Sequence, residues 1–466
     1  MSRPAETEHP ASVIAPLRSV HIQDFRGVRD LTIELDQHVT VFFGVNAAGK
    51  TTMLDALAIC LGAISSRVPN AEGRTFKTRG DLRVPWKDRA DYQERSRVAC
   101  VYARIGVECV NGLAWDLTRY RSASDAKTVK DRGRGVKALH DVIDPLIRDV
   151  LDAQDSRPAF PLVAAYGTER SLVGIPMRER DFGDEFHGLA ALDKSLSAKT
   201  EFKTVFEWFL SAEAEENRAQ RDRRSFDYRL PSLEWVRRAV KRAGIQCQNP
   251  RIGTRPIRML VDYLHHDGSI EELDIRSLSD GYRTHFSLVV DIARRMVQLN
   301  PSDDLNAADR GTNSEAVILI DEIDLHLDPT WQATVVKGLR DAFPRAQFIL
   351  TTHSEQVIGS VPAHSVRKLV AGDGEVLVEN VPFAQGASGE RILIELMGAK
   401  ERVPGDVTKK LDDYIGLVDR GEGGGEQANT LRAELEEAIG GDERLRQADL
   451  EMEKRRLLAR FLGAPK

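Results

Sequence analysis

The sequence predicts an α/β fold built on a largely parallel β-sheet, and two segments carry this prediction. Residues 38–64 have the pattern of a strand, a glycine-rich loop and a helix with apolar residues at helical spacing. Residues 316–351 have the pattern of two strongly apolar strands separated by a helix. Strands that are apolar throughout are buried on both faces, and a parallel sheet covered by helices provides that environment.

The rest of the chain adds elements around this sheet. Further strands are predicted at 20–25, 31–35, 98–106, 113–120, 160–166 and 259–264, the third and fourth as an antiparallel pair. Helical spacing dominates the chain beyond residue 385, where the glycines of 421–425 separate two polar helices. We predict four parts: a first part of the sheet domain with an antiparallel β subdomain (1–125), a helix-rich insertion (126–255), a second part of the sheet domain (256–385) and a helical tail (386–466).

Composition narrows the class of protein. The chain of 466 residues has a net charge of −6 and four cysteines that form no CxxC pair. This use of cysteine argues against a disulfide framework or a zinc hook and favours a reducing compartment. No stretch approaches the roughly 20 apolar residues of a membrane helix. We therefore expect a cytoplasmic protein without a membrane partner.

The loop GVNAAGKTT at 44–52 fits the pattern GxxxxGK[ST] and has a strand before it and a helix after it. Glycines let such a loop wrap phosphates with backbone N–H groups, and the positive end of the helix points at them. Lys50 is expected to supply a cation to the phosphates and Thr51 to hold Mg²⁺. The residues predicted to bind ATP in this loop are Gly44, Asn46, Gly49, Lys50, Thr51 and Thr52.

An acidic pair ends the first of the two apolar strands, at the sheet edge where ligands of parallel sheets gather. We expect Asp321 to coordinate Mg²⁺ through water and Glu322 to activate the attacking water as a general base. His353 follows the next strand and so lies at the same edge, near the expected γ-phosphate. The predicted catalytic residues are Glu322, Lys50 and His353, and the predicted metal ligands are Thr51 and Asp321.

The order of these motifs resembles that of ABC-type ATPases of the SMC, RecF and OLD group. The glycine loop (Walker A), the segment LSDGY at 278–282 (the signature segment), the acidic pair (Walker B), the D-loop-like LDP at 327–329 and the histidine occur in that group's order. The resemblance implies that Ser279 and Gly281 of one subunit close over ATP held by another, with Asp328 also at the nucleotide. ATP would then join a homodimer or a higher even oligomer; a serine N-cap before a helix is the structural alternative for this segment.

Four shorter segments resemble the PtuA ATPases of Septu and retron-associated antiphage defence systems. They are IQDFRG at 22–27, YGTER at 166–170 and, in the helical tail, SGER at 388–391 and residues 411–418. PtuA proteins act with a separate HNH nuclease, PtuB, and the resemblance implies that a similar partner docks on this chain. The residues that follow His353 are too few to complete the sheet domain and add a TOPRIM nuclease domain. We therefore expect no nuclease chemistry in this chain.

The sequence also departs from the ABC pattern. Ala47 stands where the Walker A loop of this group has glycine, which makes the loop slightly less flexible. The Q-loop glutamine has two candidates, Gln93 and Gln154, and the segment 166–170 competes with them for that region. The pair His265 and His266 has no partner at metal-ligand spacing and is expected to be structural or exposed.

A basic stretch keeps a second function open. Arginines and lysines crowd the segment 218–242, interleaved with Phe226, Tyr228 and Trp235. They could line a groove for a nucleic-acid backbone or form a solvated helix face. The leading hypothesis is an ATPase whose dimers restrain or position a nuclease in antiphage defence. The alternatives are a DNA-repair or recombination ATPase that clamps DNA, and an assembly protein that uses ATP only to hold subunits together.

The helical tail is open to two interpretations. Its apolar residues form helical stripes at 407–418 and 431–439, and Leu445, Ala448, Met452, Leu457, Phe461 and Leu462 extend the apolar surface towards the C-terminus. These stripes could pack on the ATPase core, or they could present a groove for a partner helix.

Overall fold

The computed structural model describes residues 14, 16–77, 80–88, 95–152, 157–168, 188–197, 202–265, 267–372, 375–399 and 405–462. The predictions for Gln93, Gln154, Glu169, Arg170 and His266 fall outside the described residues. By internal contacts the chain divides into two compact units, Met1–Ile392 and Leu393–Lys466. Each is described by itself.

The strands of the first unit belong to four sheets. They are β1 (Leu17–Phe25), β2 (Val28–Glu34), β3 (Val39–Phe43), β4 (Trp86–Asp88), β5 (Arg95–Arg97), β6 (Tyr102–Cys109), β7 (Ala114–Tyr120), β8 (Leu162–Tyr166), β9 (Cys247–Thr254), β10 (Ile257–Leu264), β11 (Ile270–Asp274), β12 (Ala316–Ile320), β13 (Ala346–Thr351), β14 (Val366–Gly372) and β15 (Glu375–Asn380). The central sheet has the order β15-β14-β3-β13-β12-β8, in which β15 alone is antiparallel to its neighbour. Strands β3, β8, β12 and β13 are buried at every position, as the predicted parallel sheet requires.

Two further sheets and a short ribbon are antiparallel. One sheet has the order β2-β1-β6-β7 and another the order β11-β10-β9, while β4 and β5 pair with each other. The predicted pair at 98–106 and 113–120 is confirmed as β6 and β7, and Gly112 in the turn between them has φ +86°. These sheets supply the antiparallel β subdomain expected from the alternating sequence pattern.

Helices pack around these sheets. They are α1 (Lys50–Ser65), α2 (Ala123–Thr128), α3 (Lys137–Asp152), α4 (Phe202–Arg223), α5 (Pro231–Arg242), α6 (Asp280–Leu299), α7 (Pro329–Gln332), α8 (Val335–Ala342), α9 (Glu355–Gly359) and α10 (Gly389–Arg391). Short 3₁₀ turns occupy Gly188–Leu192, Ile275–Ser277, Gly311–Asn313 and Ala363–Ser365, and a π-helical turn occupies Ile392–Leu396. No helix in the described part of the chain combines the length and apolar character needed to cross a membrane.

The second unit is a small helical assembly. It contains α11 (Asp406–Asp419), α12 (Glu426–Ile439) and α13 (Glu443–Leu462). Its core is formed by Leu411, Tyr414, Leu417, Val418, Ala428, Leu435, Leu445 and Ala448. The Tyr414 hydroxyl donates to an oxygen of Asp449 at 2.8 Å, and Arg432 pairs with the same carboxylate. The helical hairpin predicted around 421–425 is confirmed as α11 and α12.

Two predictions about individual elements need correction. The single helix predicted between the two apolar strands is two helices, α7 and α8, which are interrupted at Ala333 and Thr334. The hydroxyl of Thr334 donates back to the carbonyl oxygens of Thr330 and Trp331, a contact that competes with regular helix geometry. The strand predicted at 160–166 lies within the segment assigned to a helix-rich insertion, yet as β8 it pairs with β12 in the central sheet. The hairpin β14–β15 was not predicted, since its polar, half-buried sequence lacks the apolar run of the inner strands.

Candidate active site

Two glycines shape the loop between β3 and α1, and neither has room for a side chain. Gly44 has φ +152°, and a Cβ there would lie 2.3 Å from the carbonyl oxygen of Leu369. Gly49 has φ +99°, and its Cβ would lie 3.0 Å from a methyl carbon of Val376. Leu369 and Val376 belong to β14 and β15. The hairpin missed from the sequence is therefore the wall behind the loop.

The middle of this loop faces outward. Val45 is 62% exposed, and Asn46 and Ala47 are exposed as well. Ala47 has φ +65°, a left-handed conformation that is costly for a residue with a Cβ. This conformation gives a physical reason for the glycine that the ABC group has at this position. A ligand or a second chain can reach the loop from this side.

Lys50, the first residue of α1, folds back over the loop. Its Nζ donates to the carbonyl oxygens of Gly44 and Val45 at 2.8 and 3.1 Å, and the side chain is buried. Burial lowers the pKa of Lys50, and the negative charges of Glu322 and Asp321 oppose that shift. The ammonium group thus lies between the loop backbone and the acidic pair.

The acidic pair is tied to the glycine loop and to the neighbouring strand. Thr51 Oγ1 donates to Asp321 Oδ2 at 3.0 Å, and Thr351 Oγ1 donates to Asp321 Oδ1 at 2.6 Å. The backbone N–H of Glu322 donates to Thr351 Oγ1 at 2.7 Å, and Glu322 adopts φ +48°. Such backbone conformations outside glycine cluster at functional sites. Adjacent hydroxyl and carboxylate oxygens are the ligands that Mg²⁺ prefers, so Thr51 and Asp321 fit the predicted metal site.

A further carboxylate, Asp324, connects the acidic pair to the predicted histidine. It accepts from Thr352 Oγ1 at 2.6 Å and from the backbone N–H of His353 at 3.2 Å. Ser354 next to the histidine donates to the amide oxygen of Gln332 at 2.7 Å, and that amide donates to loop carbonyl oxygens at 2.8 and 3.5 Å. The loop after β12 and the loop after β13 are therefore fixed to each other by side chains that the sequence did not single out.

The signature segment forms the start of α6 and packs against the same loop. Ser279 occupies the N-cap position, is exposed, and makes no side-chain capping hydrogen bond. The serine-cap alternative therefore holds for position but not for the hydrogen bond. A Cβ on Gly281 would lie 2.1 Å from the carbonyl oxygen of His326, which itself has φ +64°. Within one copy, Gly281 is required by this close approach.

Aromatic side chains extend the contact between α6 and α7. The rings of Tyr282 and Trp331 are 4.1 Å apart between centroids, and Tyr282 donates to the amide oxygen of Gln246. The Tyr263 hydroxyl also reaches that oxygen, at 3.0 Å. Burial and the hydrogen bond with Tyr263 raise the pKa of Tyr282 well above its usual range. The start of α6 is thus held on α7 and on the sheet of β9, β10 and β11.

Asp328 caps the N-terminus of α7. Its carboxylate accepts from the backbone N–H groups of Thr330 and Trp331 at 2.9 and 3.2 Å. If Asp328 also contacts the nucleotide, as predicted, it does so while it caps this helix.

A buried ionic network joins the central sheet to α6. The Tyr166 hydroxyl, at the end of β8, donates to Asp291 Oδ2 at 3.0 Å. Asp291 pairs with Arg294 at 2.6 Å and with Arg295 at 2.9 Å. Burial disfavours the charged carboxylate, but Arg295 and Arg294 outweigh it and lower the pKa of Asp291. The sequence pointed to Tyr166 only as the first residue of the segment YGTER. The structure shows that its hydroxyl is bonded to Asp291 on α6.

These contacts bring together some of the predicted site residues but not all of them. Lys50, Thr51, Asp321 and Glu322 meet at one sheet edge, and Asp324 brings in the backbone of His353. Asn46 is exposed and Thr52 half-buried beside them. The linking residues Thr351, Asp324 and Gln332 were missed, although the acidic spacing DEID and the pair Thr351-Thr352 were visible in the sequence.

The fold and the site together define a P-loop ATPase. A buried strand leads into a glycine loop that ends in lysine and threonine, and the threonine contacts a carboxylate at the end of a parallel neighbouring strand. The helix start at Ser279 packed on the loop after the acidic pair adds the arrangement expected of the ABC type.

Comparisons with known proteins agree with this class. The AAA domain family matches residues 19–230, and a second AAA domain family, described with the AbiEii toxin of type IV toxin–antitoxin systems, matches residues 174–359. The Retron Ec83 probable ATPase of Escherichia coli is 27% identical over 94% of this chain and 86% of its own length. The Retron Vc95 probable ATPase of Vibrio cholerae is 23% identical over 87% of this chain and 84% of its own. The Septu protein PtuA of Bacillus mycoides is 34% identical over 31% of this chain and 19% of its own.

The chain is a P-loop ATPase with homologues among the ATPases of retrons and the Septu protein PtuA, and its motif order resembles that of the ABC-type ATPases of the SMC and RecF group. Two relatives align with it over most of both lengths, whereas the PtuA match is a local one.

Proposed function

We propose that two copies of this chain bind ATP between them and that hydrolysis controls a separate nuclease in antiphage defence. The observation that carries the two-copy arrangement is the start of α6. Ser279 is exposed and its hydroxyl caps nothing, so this helix end presents unused hydrogen-bonding groups and a positive dipole. An ATP γ-phosphate supplied by the glycine loop of another copy would satisfy both.

In this proposal the residues of one copy divide the chemistry among them. Lys50 binds the phosphates, and Thr51 and Asp321 hold Mg²⁺, which supplies charge neutralisation when bound. Glu322 accepts the proton of the attacking water, and His353 contacts the γ-phosphate. Ser279 and Gly281 of the second copy close the site.

Mixing two variants tests whether the site is shared. Lys50→Ala removes the glycine-loop function and Ser279→Arg blocks the signature end, so each variant alone should lack turnover. A mixed dimer would contain one intact composite site, formed by the loop of one copy and the signature of the other. Random mixing should then restore up to about a quarter of wild-type activity, since half of the dimers are mixed and each has one working site. If mixed dimers form and their activity does not exceed that of the separate variants, the shared site is wrong.

The nuclease partner is supported by the local similarity to a Septu PtuA protein and by the resemblance to ATPases that act with an HNH nuclease. Co-expression with an HNH nuclease encoded beside this chain tests it. The complex should cleave DNA at a rate that differs between the ATP-trapped Glu322→Gln variant and the nucleotide-free Lys50→Ala variant. A purified chain that cleaves nucleic acid alone, and continues to do so as Glu322→Gln, would contradict the proposal.

We place this activity in the cytoplasm. The chain has four cysteines, and Cys60, Cys109 and Cys247 are buried as thiols. Burial raises the pKa of Cys109 and Cys247 to about 12, so these thiols remain unreactive. A reducing compartment suits such a set.

The turn between α4 and α5 favours direct nucleic-acid binding as a second candidate function. Phe226 is 85% exposed, and Arg223 stacks over Tyr228 at 4.3 Å from the ring centroid. Among the described residues, no ion pair engages Arg218, Arg221, Arg223, Arg224 or Arg229, all of which are exposed. By contrast, Trp235 is fully buried and Arg237 pairs with Glu216, so the candidate surface is the turn and not the whole basic stretch.

ATP-dependent binding of labelled DNA tests this second function. Reversal of charge at Arg223 and Arg224 should weaken binding and flatten its dependence on salt, because fewer counterions are released. Reversal at Lys337 on α8, which is 78% exposed by its side chain, is the matched control. Equal losses in both variants would show a general charge effect and exclude the turn as the binding surface.

A further inference from the structure

The last helix, α13, has two apolar faces, and the second unit covers one of them. Leu445 and Ala448 are buried in the core of that unit, with Met452 packed against it. Another set of leucines points away from this core: Leu450 is 63% exposed, and Leu457 and Leu458 are each 48% exposed. Their spacing of seven and eight residues places them in one stripe along the helix.

The exposed leucines enclose a shallow concavity. It is lined by Leu450, Glu453, Lys454, Leu457 and Leu458, all of which are exposed. Single exposed leucines are ordinary, whereas a contiguous apolar stripe with charged residues between its members is typical of an interaction surface. The stripe is therefore the surface of α13 that is suited to bind another protein segment.

The order of charges along α13 indicates which occupant. From residue 449 to residue 460 every acidic residue precedes every basic one. The acidic residues are Asp449, Glu451 and Glu453, and the basic residues are Lys454, Arg455, Arg456 and Arg460. The change of sign falls between Glu453 and Lys454, which lie in the concavity between Leu450 and Leu457. Asp449 pairs with Arg432, and Arg455 donates to the carbonyl oxygen of Val418, so these two charges are used within the unit. The exposed charges beside the leucines are Glu453 and Lys454, and their order is complementary to an antiparallel copy of the helix.

We propose that α13 pairs antiparallel with α13 of a second copy of this chain through the stripe Leu450, Leu457 and Leu458. A two-fold axis near residues 453 and 454 brings Glu453 of one copy to Lys454 of the other, twice. The same axis sets the leucine of each N-terminal half against those of the opposite C-terminal half. Parallel pairing in register would instead bring Glu453 to Glu453 and Lys454 to Lys454, so like charges would meet.

This interface uses no residue of the glycine loop or the signature segment, so it forms without ATP. Together with the proposed ATP-dependent contact, it would give each copy two different interfaces. Two such interfaces generate assemblies larger than a dimer, with an even number of copies when both are closed. The inference does not depend on the nuclease or on the shared nucleotide site.

Sedimentation of the full chain without nucleotide, in the Lys50→Ala background, tests the pairing. Leu450→Asp with Leu457→Asp should weaken self-association at least about tenfold, because two buried apolar anchors are replaced by charges. Leu151→Asp on α3 is the matched control, since that leucine is 57% exposed on another helix. Unchanged association in the double variant, or an equal loss in the control, would overturn the proposal.

Charge exchange separates self-pairing from the docking of another protein. Glu453→Lys alone and Lys454→Glu alone should each weaken association, because like charges then meet across the axis. The variant that carries both changes should regain most of the wild-type affinity, since the pairing is restored in both copies. If the double exchange is no better than the single ones, α13 is not paired with itself. If the single changes leave association intact and abolish nuclease binding, the stripe docks the nuclease instead.

Discussion

The glycine-loop edge and the signature end of α6 differ in whether their functional groups already have hydrogen-bond partners within one copy. At the loop edge, Lys50 and Thr51 already bond to protein oxygens, and Asp321 accepts from two hydroxyls. At the signature end, Ser279 is exposed and caps nothing, while Gly281 behind it is locked against a carbonyl oxygen. The groups at the loop edge are held by partners within a single copy. The signature end has a base, Gly281, which is fixed against the loop after β12, and an open face, the exposed Ser279.

This difference gives a structural reason why an ATPase can depend on assembly. A site whose groups are fixed by their own neighbours needs little reorganisation when ATP enters. A helix end that is held firmly but left unsatisfied gains its partners only when another copy brings them. Substitutions at the loop edge should therefore alter association only through ATP binding and chemistry, whereas those at the signature end should alter association directly.

The largest expected effect is at Glu322. Glu322→Gln should lower kcat by about 10²–10⁴-fold, since the amide cannot accept the proton of the attacking water. ATP binding should persist, and the ATP-dependent dimer should accumulate. Steady-state turnover and sedimentation with ATP measure the two properties. Turnover near the wild-type rate would remove Glu322 from the role of base.

Lys50→Ala should weaken ATP binding by about 10–100-fold, the loss expected for a charged hydrogen bond of about 1.5–3 kcal/mol. It should also abolish ATP-dependent association. Equilibrium binding of a fluorescent ATP analogue gives the affinity. Lys337→Ala on the exposed face of α8 serves as the control and should bind normally.

Gly281→Ala and Ser279→Ala should separate the base of the signature end from its open face. A Cβ on Gly281 would collide with the carbonyl oxygen of His326, so we expect a loss of about 1–3 kcal/mol in the free energy of unfolding without nucleotide. Ser279→Ala should alter stability by less than about 0.5 kcal/mol, because its hydroxyl caps nothing. Denaturant unfolding compares them, and equal losses would mean that Ser279 is also part of the folded base.

The parts of the site built from consecutive residues could be predicted from the sequence. The parts that depend on contacts with residues far along the chain could not. The strand, loop and helix around Lys50 are consecutive, so spacing alone predicted them. Gly44 lies against Leu369 and Gly49 against Val376, both more than 300 residues away on a hairpin with no strong apolar run. Pattern cannot reveal such a contact.

The same limit explains the signature end. The sequence predicted that Ser279 begins a helix, and the structure agrees. Whether the hydroxyl is used as a cap depends on the rotation of one side chain, which spacing does not encode. Likewise, the acidic residue at 324 was visible, but its bonds to the loop after β13 depend on how two loops fold together.

Asp324, which we expect to position His353, has a smaller expected effect on kcat than Glu322. Asp324→Asn removes the charge that accepts from Thr352 and from the backbone of His353, and should lower kcat about fivefold, near 1 kcal/mol, with little change in KM. In the His353→Ala background the same change should have no further effect, because the residue acts through the histidine. Asp303→Asn, at an exposed site, is the matched control. Additive losses in the double variant would mean that Asp324 acts independently of His353. Asp324 would then belong with Lys50, Thr51 and Asp321, the groups that are ordered at the glycine-loop edge within one copy.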